Sequence, residues 1–505
     1  MGRIIGQGRD VMNIIIANAV GINSEGKRIS HFPSRWTALD FAQDLGGQTF
    51  YPFMLGYTSS LLKRETDYNV TFVDGVLESM DIDQYVERVS ALKPDLLVVE
   101  SASVTYKDDL AFALGVKKNC GTTIVNVGAH SSVFPEEVLS DGFDFAAIGE
   151  FEFTILDLVR KGRGEKIPGL YGNAPRGLTD INLLPFPEDD DVRRIDYREP
   201  LHSEYREIEF FTSRGCPMAC SFCVAVYVYY QGIRKWRHRR IPSIIAEIKY
   251  LRRKYPEMGG LFIDDEAHNS SYRFVLDLCR ALSENELSNL KINAMCGAWT
   301  ITLETAKAMA EAGYYKLRLG IETAGDKTAE MIGAKIDLQR TIRALEILRD
   351  VGIKVQGTFT IGTMGSTEEE DRRTIEFACE MAKKGLIQEY QVSISTPMPG
   401  TPYFRWAEEK GYLLTREWSA YDGSIASVVS YPHYSAEDIN RVWLEARETI
   451  GRACATAKNK IAREKLTEES SSRHPGFVYH AKQNVKKTAS KLAQHFVNKI
   501  EKRDV

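Results

Sequence analysis

The sequence predicts an α/β protein with a doubly wound (Rossmann-like) parallel sheet first, a partial (β/α)6 barrel of the TIM type second, and a helical C-terminal region. Three observations lead there. Short apolar runs alternate with helical stretches in two separate series, the mark of parallel strands joined by crossover helices. A proline-rich, acidic interruption divides the two series. The chain has 505 residues, more than one ordinary core accommodates.

In the first series, apolar runs occupy 14–17, 70–73, 96–99, 123–127 and 145–148, with helical stretches at 54–65, 82–92 and 109–118. The later strands end in Asp74-Gly75, Glu100-Ser101, Gly128-Ala129-His130 and Gly149-Glu150. Ligands of doubly wound sheets bind beyond the carboxyl ends of the strands, where these turns fall. Residues 1–165 form this domain, and 166–205, with Pro168, Pro175, Pro185, Pro187 and Pro200 among acidic residues, read as a linker. The second series has strands at 208–212, 260–264, 291–296, 316–321, 354–361 and 390–395. Helices at 241–254, 271–282, 302–312, 338–351 and 368–384 separate them, giving six βα units over 206–410. Residues 411–505 lack strand rhythm: 435–466 is an amphipathic helix, 468–475 a polar break, and about 481–502 a last helix.

Composition narrows the class. Hydrophobic residues make up 43% and charged residues 27%, with a net charge of −4, so no global charge points to nucleic acid. The apolar run before Ala17-Asn18-Ala19 is too short for a signal peptide. No stretch approaches the ~18 uninterrupted apolar residues of a membrane span, and the expected compartment is the cytoplasm. Eight cysteines in such a chain are no disulfide framework. Cys120, Cys279, Cys296, Cys379 and Cys454 are scattered through apolar or helical contexts and read as small buried hydrophobes.

The other three stand together in Gly215-Cys216-Pro217-Met218-Ala219-Cys220-Ser221-Phe222-Cys223. Soft thiolates neutralise the irons of a cluster. Three on one loop hold three irons of a [4Fe–4S] cubane and leave the fourth open. A Cys3His zinc site completed by His238 is the alternative, although the intervening segment lacks finger character.

This Cys-x-x-x-Cys-x-x-Cys, directly after the first barrel strand and with Phe222 before the last cysteine, resembles the radical S-adenosylmethionine superfamily. The resemblance implies that the open iron chelates S-adenosylmethionine (SAM), whose one-electron reduction releases a 5′-deoxyadenosyl radical. It makes Cys216, Cys220 and Cys223 the catalytic cluster ligands, with Phe222 beside them. It implies SAM contacts from Asp264-Asp265-Glu266 after the second strand. Arg318-Leu319-Gly320-Ile321-Glu322 resembles the fourth-strand motif, with Thr323 where Gly-Ile-Glu-Ser has serine. Gly357 and Gly362 bound a segment similar to the fifth-strand glycine pattern, which in the family lets adenine approach backbone. The segment 396–402 resembles the loop after the sixth strand, so the likeness spans nearly all of 208–402.

A doubly wound domain ahead of such a barrel resembles the cobalamin-binding subclass. The carrying segments are 51–57, Gly128-Ala129-His130-Ser131-Ser132-Val133-Phe134-Pro135 and Ala147-Ile148-Gly149-Glu150. The resemblance implies a cobalamin slot rimmed by Ser101, Ser103, Gly128, His130, Ser131, Gly149 and Glu150. The Asp-x-His-x-x-Gly motif that supplies an axial histidine in other cobalamin proteins is absent, since Gly128 stands two residues before His130. Cobalamin would therefore be bound without histidine on cobalt.

Two charged stretches remain. Tyr227 to Arg240 interleaves aromatic and basic residues, a composition also seen in single-strand nucleic-acid binders. Family members carry a similar Trp-Arg-x-Arg whose basic groups pack around the cluster, and no nucleic acid is expected. In the last helix, Val485, Ala489, Leu492, Phe496 and Ile500 line one stripe among lysines. Packing on the protein is favoured over contact with a membrane surface. The resemblance thus implies transfer of a methyl group from methylcobalamin to an unactivated carbon. Cyclisation or rearrangement is the alternative within the family, and a non-catalytic iron–sulfur or cobalamin sensor the alternative outside it. An external electron donor of the flavodoxin or ferredoxin type is expected, as is a small-molecule, lipid or peptide substrate.

Overall fold

The computed structural model describes residues 11–18, 20–22, 28–30, 39–40, 49–162, 164–197, 203–334, 336–421 and 426–471. The chain opens with β1 (Asn13–Asn18), then β2 (Gly21–Ile22), β3 (Arg28–Ser30) and β4 (Leu39–Asp40), a small antiparallel patch that the sequence pattern gave no sign of. There follow α1 (Phe53–Glu65), β5 (Asn69–Asp74), α2 (Ile82–Ser90), β6 (Leu96–Glu100), α3 (Tyr106–Cys120), β7 (Thr123–Val127), α4 (Ala129–Val133), α5 (Pro135–Ser140), β8 (Phe145–Ala146) and α6 (Glu152–Lys161). The strands pair in parallel in the order β5-β1-β6-β7-β8.

This sheet forms because its strands are apolar on both faces. All five residues of β6 and of β7 are buried, as helices on either side require. Ile14, Ile16, Leu96 and Val98 enter one core, while Ile15, Leu97 and Val99 enter the other, the two-residue period of a strand. The winding reverses between β1 and β6, so a crevice opens beyond Asn18 and Glu100, which are register partners.

The proline-rich segment is tied down at Glu188, Arg194 and Tyr197. Tyr51 donates to the Glu188 carbonyl at 2.7 Å, Ser59 to the Glu188 carboxylate at 2.6 Å, and Tyr197 to Asp74 at 2.8 Å. Buried Arg194 pairs with Glu247 of the second domain at 2.5 Å. The expected linker is a strap fastened to both domains.

The second domain comprises β9 (Glu207–Phe210), β10 (Ser213–Arg214), a π-helix (Ala225–Tyr229), β11 (Arg237–His238), α7 (Ile241–Lys254), β12 (Gly260–Ile263), α8 (Tyr272–Glu284), β13 (Lys291–Cys296), α9 (Leu303–Glu311), β14 (Tyr314–Glu322), α10 (Asp326–Met331), α11 (Leu338–Asp350), β15 (Lys354–Ile361), α12 (Glu368–Lys383), β16 (Glu389–Ile394) and α13 (Pro402–Glu409). Six strands run in parallel in the order β16-β15-β14-β13-β12-β9, an open barrel, and β10 pairs with β11. The long α14 (Ala436–Ser471) lies against β16 and α12: Trp443 donates its indole N–H to the Val392 carbonyl at 3.0 Å, and Ile439 fills the space beside Gly362. The helix thus covers an otherwise open sheet edge. The 481–502 helix read from the sequence lies outside the described residues.

Candidate active site

The cluster loop leaves β9 at the carboxyl end of the barrel and is braced from several sides. Asp265, sealed at 0% exposure, accepts from the Thr212 N–H at 2.8 Å, the Ser213 N–H at 3.1 Å and the Ser213 hydroxyl at 2.7 Å, and also from the Thr212 hydroxyl. Burial pushes its pKa up, but bonds from His268, Thr212 and Ser213 outweigh it and hold the carboxyl below its ordinary value. Glu266 accepts from the Gly215 N–H and the Tyr230 hydroxyl, each at 2.9 Å. Of the three carboxylates that the resemblance assigns to SAM, two are therefore committed to the cluster loop, while Asp264 is buried just beyond β12. Farther along, Ser221 donates its N–H to Ile332 and accepts from Tyr403 N–H, at 2.8 and 3.0 Å.

Within this frame Cys216 is buried, and Cys220 and Cys223 are half-buried. The Cys223 N–H closes a turn on the Cys220 carbonyl at 3.0 Å, and Phe222 packs toward the barrel core. Burial first, then the charges of Cys223, Glu322 and Cys216, raise the Cys220 thiol well above its ordinary range. Three sulfurs this close cannot readily ionise together unaided, and a polycationic partner bonded to all three would stabilise them as thiolates. Among the described residues no group of three His, Cys, Asp or Glu is placed to hold a single metal ion. His238 faces away from such a role: its Nδ1 bonds the Arg239 carbonyl and its ring packs on Phe274, centroids 4.7 Å apart. Three soft sulfur donors on one loop fit a multi-iron cluster.

On β14, Arg318 lies 4.2 Å above the Phe262 ring, and Gly320 is exposed. The strand bulges between Gly320 and Glu322, and Glu322 adopts φ +64°, a left-handed conformation costly to a side-chain-bearing residue. Burial pushes its carboxyl up to about 7. The fifth-strand glycines have protein neighbours: Phe359 and Ile387 lie beside Gly357, and the Gly362 N–H is held by Asp371 at 2.7 Å.

The residues expected to rim the first domain converge on one edge of its sheet. Asn126 donates to the Ser101 hydroxyl at 2.7 Å, His130 Nδ1 meets the Ser103 hydroxyl at 3.2 Å, and Ser131 donates to Asn126 and Ala147 carbonyls at 3.0 and 2.9 Å. Gly128, at φ +97°, is obligatory, because a Cβ there would stand 2.8 Å from Glu100 Cγ. His130 is fully buried, stacked on Tyr106 at 3.7 Å, and burial drops its pKa to about 3. It is a neutral wall residue. Gly149 donates to Ser132 at 2.9 Å. Glu150 turns toward the other domain, accepting from Arg214 at 3.0 Å, Arg237 at 2.8 Å and the Thr179 N–H at 2.8 Å.

Arg239 likewise pairs with Glu247 at 2.6 Å. The arginines at 237 and 239, expected to pack around the cluster, are thus engaged with acidic residues, whereas Arg234 and Lys235 are exposed.

Sequence reasoning missed part of this edge. Among the described residues, buried Asn18 Oδ1, Glu100 Oε2, Asn126 Oδ1 and His130 Nε2 find no hydrogen-bond partner, and all four belong to the carboxyl ends of β1, β6 and β7 or the turn after β7. A polar residue closing an apolar run, as Asn18 closes Ile14-Ile15-Ile16-Ala17, was the available signal. The same edge meets the mouth of the barrel. Tyr229, of the π-helix after Cys223, donates to Glu100 at 2.9 Å. Phe134 stacks on Trp418 at 5.2 Å, and a Cβ on Gly400 would touch both Val133 and Val228.

Comparison with known proteins gives the same picture. The family model described as the radical SAM superfamily matches residues 210–378. The chain is 28% identical over 419 residues to an uncharacterised methyltransferase of Pyrococcus horikoshii, covering 79% of this chain and 87% of that one. It is 23% identical over 380 residues to the anaerobic magnesium-protoporphyrin IX monomethyl ester cyclase of Rubrivivax gelatinosus, covering 71% and 66%. Its fold matches the radical SAM methyltransferase TsrM of Kitasatospora setae, solved with cobalamin and a [4Fe–4S] cluster bound, at a TM-score of 0.61 and 15% identity over 88% of this chain and 91% of that one. Residues 210–378 thus carry a radical SAM domain, and the two domains together have the fold of a radical SAM methyltransferase solved with cobalamin and a [4Fe–4S] cluster bound.

Proposed function

We propose that this chain is a cobalamin-dependent radical SAM enzyme that methylates an unactivated carbon. The observation that carries the reading is the convergence of two sites on one seam, where the cysteine loop of the barrel meets the polar carboxyl edge of the first sheet through Tyr229 and Glu100. The donor set of Cys216, Cys220 and Cys223 fits a [4Fe–4S] cluster with SAM on its open iron. The unpartnered atoms of Asn18, Glu100, Asn126 and His130 fit a large polar ligand beyond the strand ends. When bound, the cluster with SAM would supply a 5′-deoxyadenosyl radical for hydrogen removal, and cobalamin would supply the methyl group. The chain itself brings the cysteine loop and the polar strand ends together through Tyr229 and Glu100, braces the cysteine loop with Asp265 and Glu266, and keeps a neutral His130 in the wall. A one-electron donor of the flavodoxin or ferredoxin class would reduce the cluster, and a reducing cytoplasm suits eight cysteines without a disulfide.

The experiment is anaerobic reconstitution with iron, sulfide and hydroxocobalamin, then product analysis with a strong one-electron reductant, SAM and candidate small-molecule, lipid and peptide substrates. Formation of both 5′-deoxyadenosine and S-adenosylhomocysteine supports methyl transfer. Deoxyadenosine alone shifts the reading to cyclisation or rearrangement, which the similarity to the Rubrivivax cyclase favours as the second choice. Neither product from an intact cluster refutes an enzymatic role.

A further inference from the structure

Tyr229 and Tyr230 are consecutive, both are buried, and their hydroxyls reach different domains. Tyr229 donates to Glu100 at the end of β6, at 2.9 Å. Tyr230 donates to Glu266 after β12, also at 2.9 Å, and the other oxygen of Glu266 accepts from the Gly215 N–H beside Cys216. An unbroken run of hydrogen bonds and one peptide link therefore joins the crevice of the first domain to the cluster loop.

The backbone that presents the pair is unusual. Tyr230 N–H closes the π-helix on the Ala225 carbonyl at 2.9 Å. Gln231 and Gly232 then take φ +50° and +77°. Isolated π-turns and left-handed side-chain-bearing residues cost free energy and persist where the surroundings hold them. Here the surroundings are the first domain, since a Cβ on Gly149 would lie 3.0 Å from the Tyr229 carbonyl and 2.5 Å from Gln231 Nε2. Arg237, paired with Glu150, stacks over the Tyr230 ring at 5.1 Å. At the crevice end, Glu100 Oε2 and Asn18 Oδ1, on register partners, find no partner among the described residues.

We propose that Tyr229 and Tyr230 are a positioning pair that registers the first-domain crevice against the cluster loop, so that a corrinoid engaging Glu100 tightens the loop bearing Cys216. The identity of the ligand as a corrinoid rests on the function proposed above; the connection between crevice and loop does not. Burial raises the Glu100 carboxyl to about 8, against the Tyr229 bond. Its neutral form can accept from Tyr229 and donate from the other oxygen to a ligand.

The test uses the full reconstituted chain as wild type, Y229F, Y230F, Y229F/Y230F and E100Q, with iron content confirming equal cluster loading. Two signals are read: affinity for hydroxocobalamin, and the electron paramagnetic resonance spectrum of the reduced cluster with SAM, recorded with and without hydroxocobalamin. Y229F is expected to weaken hydroxocobalamin binding roughly tenfold, the loss of one good hydrogen bond, and to change the cluster spectrum. Y230F is expected to change the spectrum and to weaken corrinoid binding although it touches only the barrel side. The double variant should fall short of the sum of the two. E100Q keeps an acceptor for Tyr229 and should retain the wild-type spectrum in the absence of corrinoid. The proposal fails if Y229F leaves the cluster spectrum unchanged, or if Y230F leaves corrinoid affinity unchanged while wild type binds it. A wild-type chain that binds no hydroxocobalamin refutes the proposed function, and the corrinoid-free spectrum of Y229F then still decides whether the pair connects the two sites.

Discussion

Arg214 Nη2 lies 2.6 Å from Glu152 Oε1, with both side chains sealed from solvent. The arginine stands two residues before Cys216, and the glutamate opens the last helix of the first domain. Burial alone would favour a neutral guanidinium, but Glu152 and Glu150 outweigh it and keep Arg214 charged. The rings of Phe53 and Tyr57 lie at 5.3 and 5.2 Å. Removing one partner of such a pair strands the other charge in the interior. R214M should cost about 3–5 kcal/mol of stability, read from urea unfolding of the anaerobic chain. The milder E152Q, which keeps an acceptor, should cost about 1–3 kcal/mol. An R214M chain as stable as wild type would show that the seam does not depend on this pair.

Asp265 receives donors from two consecutive loop residues on its two oxygens. D265N turns an NH2 toward some of them, a mismatch of about 1–3 kcal/mol. The variant should fold yet release iron to a chelator roughly tenfold faster, the equivalent of ~1.4 kcal/mol in the barrier. Equal release rates would remove Asp265 from the list of loop supports.

Gly215 has φ +89°, and a Cβ there would stand 2.2 Å from the Lys235 carbonyl oxygen. Neither backbone can give way without moving Cys216 or the β10–β11 pair. G215A should therefore retain wild-type far-ultraviolet circular dichroism but lose cluster assembly and SAM cleavage together. Full iron content in G215A would contradict this.

Asp371 gives a pH signature. Burial raises its carboxyl to about 7, against bonds from the Gly362 N–H and the Tyr434 hydroxyl. The folded chain keeps this proton in a window where the unfolded chain, with a carboxyl near 3.8, has lost it. This contribution to stability must therefore fall as pH rises from 3.8 toward 7, by up to ~1.4 kcal/mol per unit, and level off above. D371N lacks that slope. The difference in unfolding free energy between the two chains, measured from pH 4 to 8, should move in favour of D371N up to about pH 7 and then flatten. A constant difference would mean that Asp371 titrates normally.

Much of this was legible in the sequence because parallel strands are buried on both faces and so appear as apolar runs. The strands at 123–127, 291–296 and 354–361 have the bounds read from pattern, and the others differ at their ends by a few residues. The rim residues Ser101, Ser103, Gly128, His130 and Ser131 could be grouped in advance because α/β topology brings all strand ends to one edge. What stayed hidden was long-range pairing. Arg194 finds Glu247, and Arg214 finds Glu150 and Glu152, more than fifty residues away in sequence, and no local pattern announces such partners. The segment at 166–205 read as a linker for the same reason: its described residues are fixed by hydrogen bonds to distant groups. Nor does periodicity reveal a π-turn, so Tyr229 and Tyr230 passed as part of a basic, aromatic stretch.

The covering of β16 by α14 has an architectural consequence. The barrel sheet is open, with free edges at β9 and β16, and each is closed by chain from outside the six βα units. Trp443 and Ile439 come from α14. At the other edge, Arg194 of the strap donates to the Glu209 carbonyl at 3.0 Å, and the Tyr51 N–H of the first domain donates to the Glu209 carboxylate at 2.9 Å. The catalytic unit is therefore not a transplantable module. Its boundaries as an evolving or engineered part are those of the whole assembly, and grafting it onto another cofactor domain would require carrying the clasp on both flanks with it.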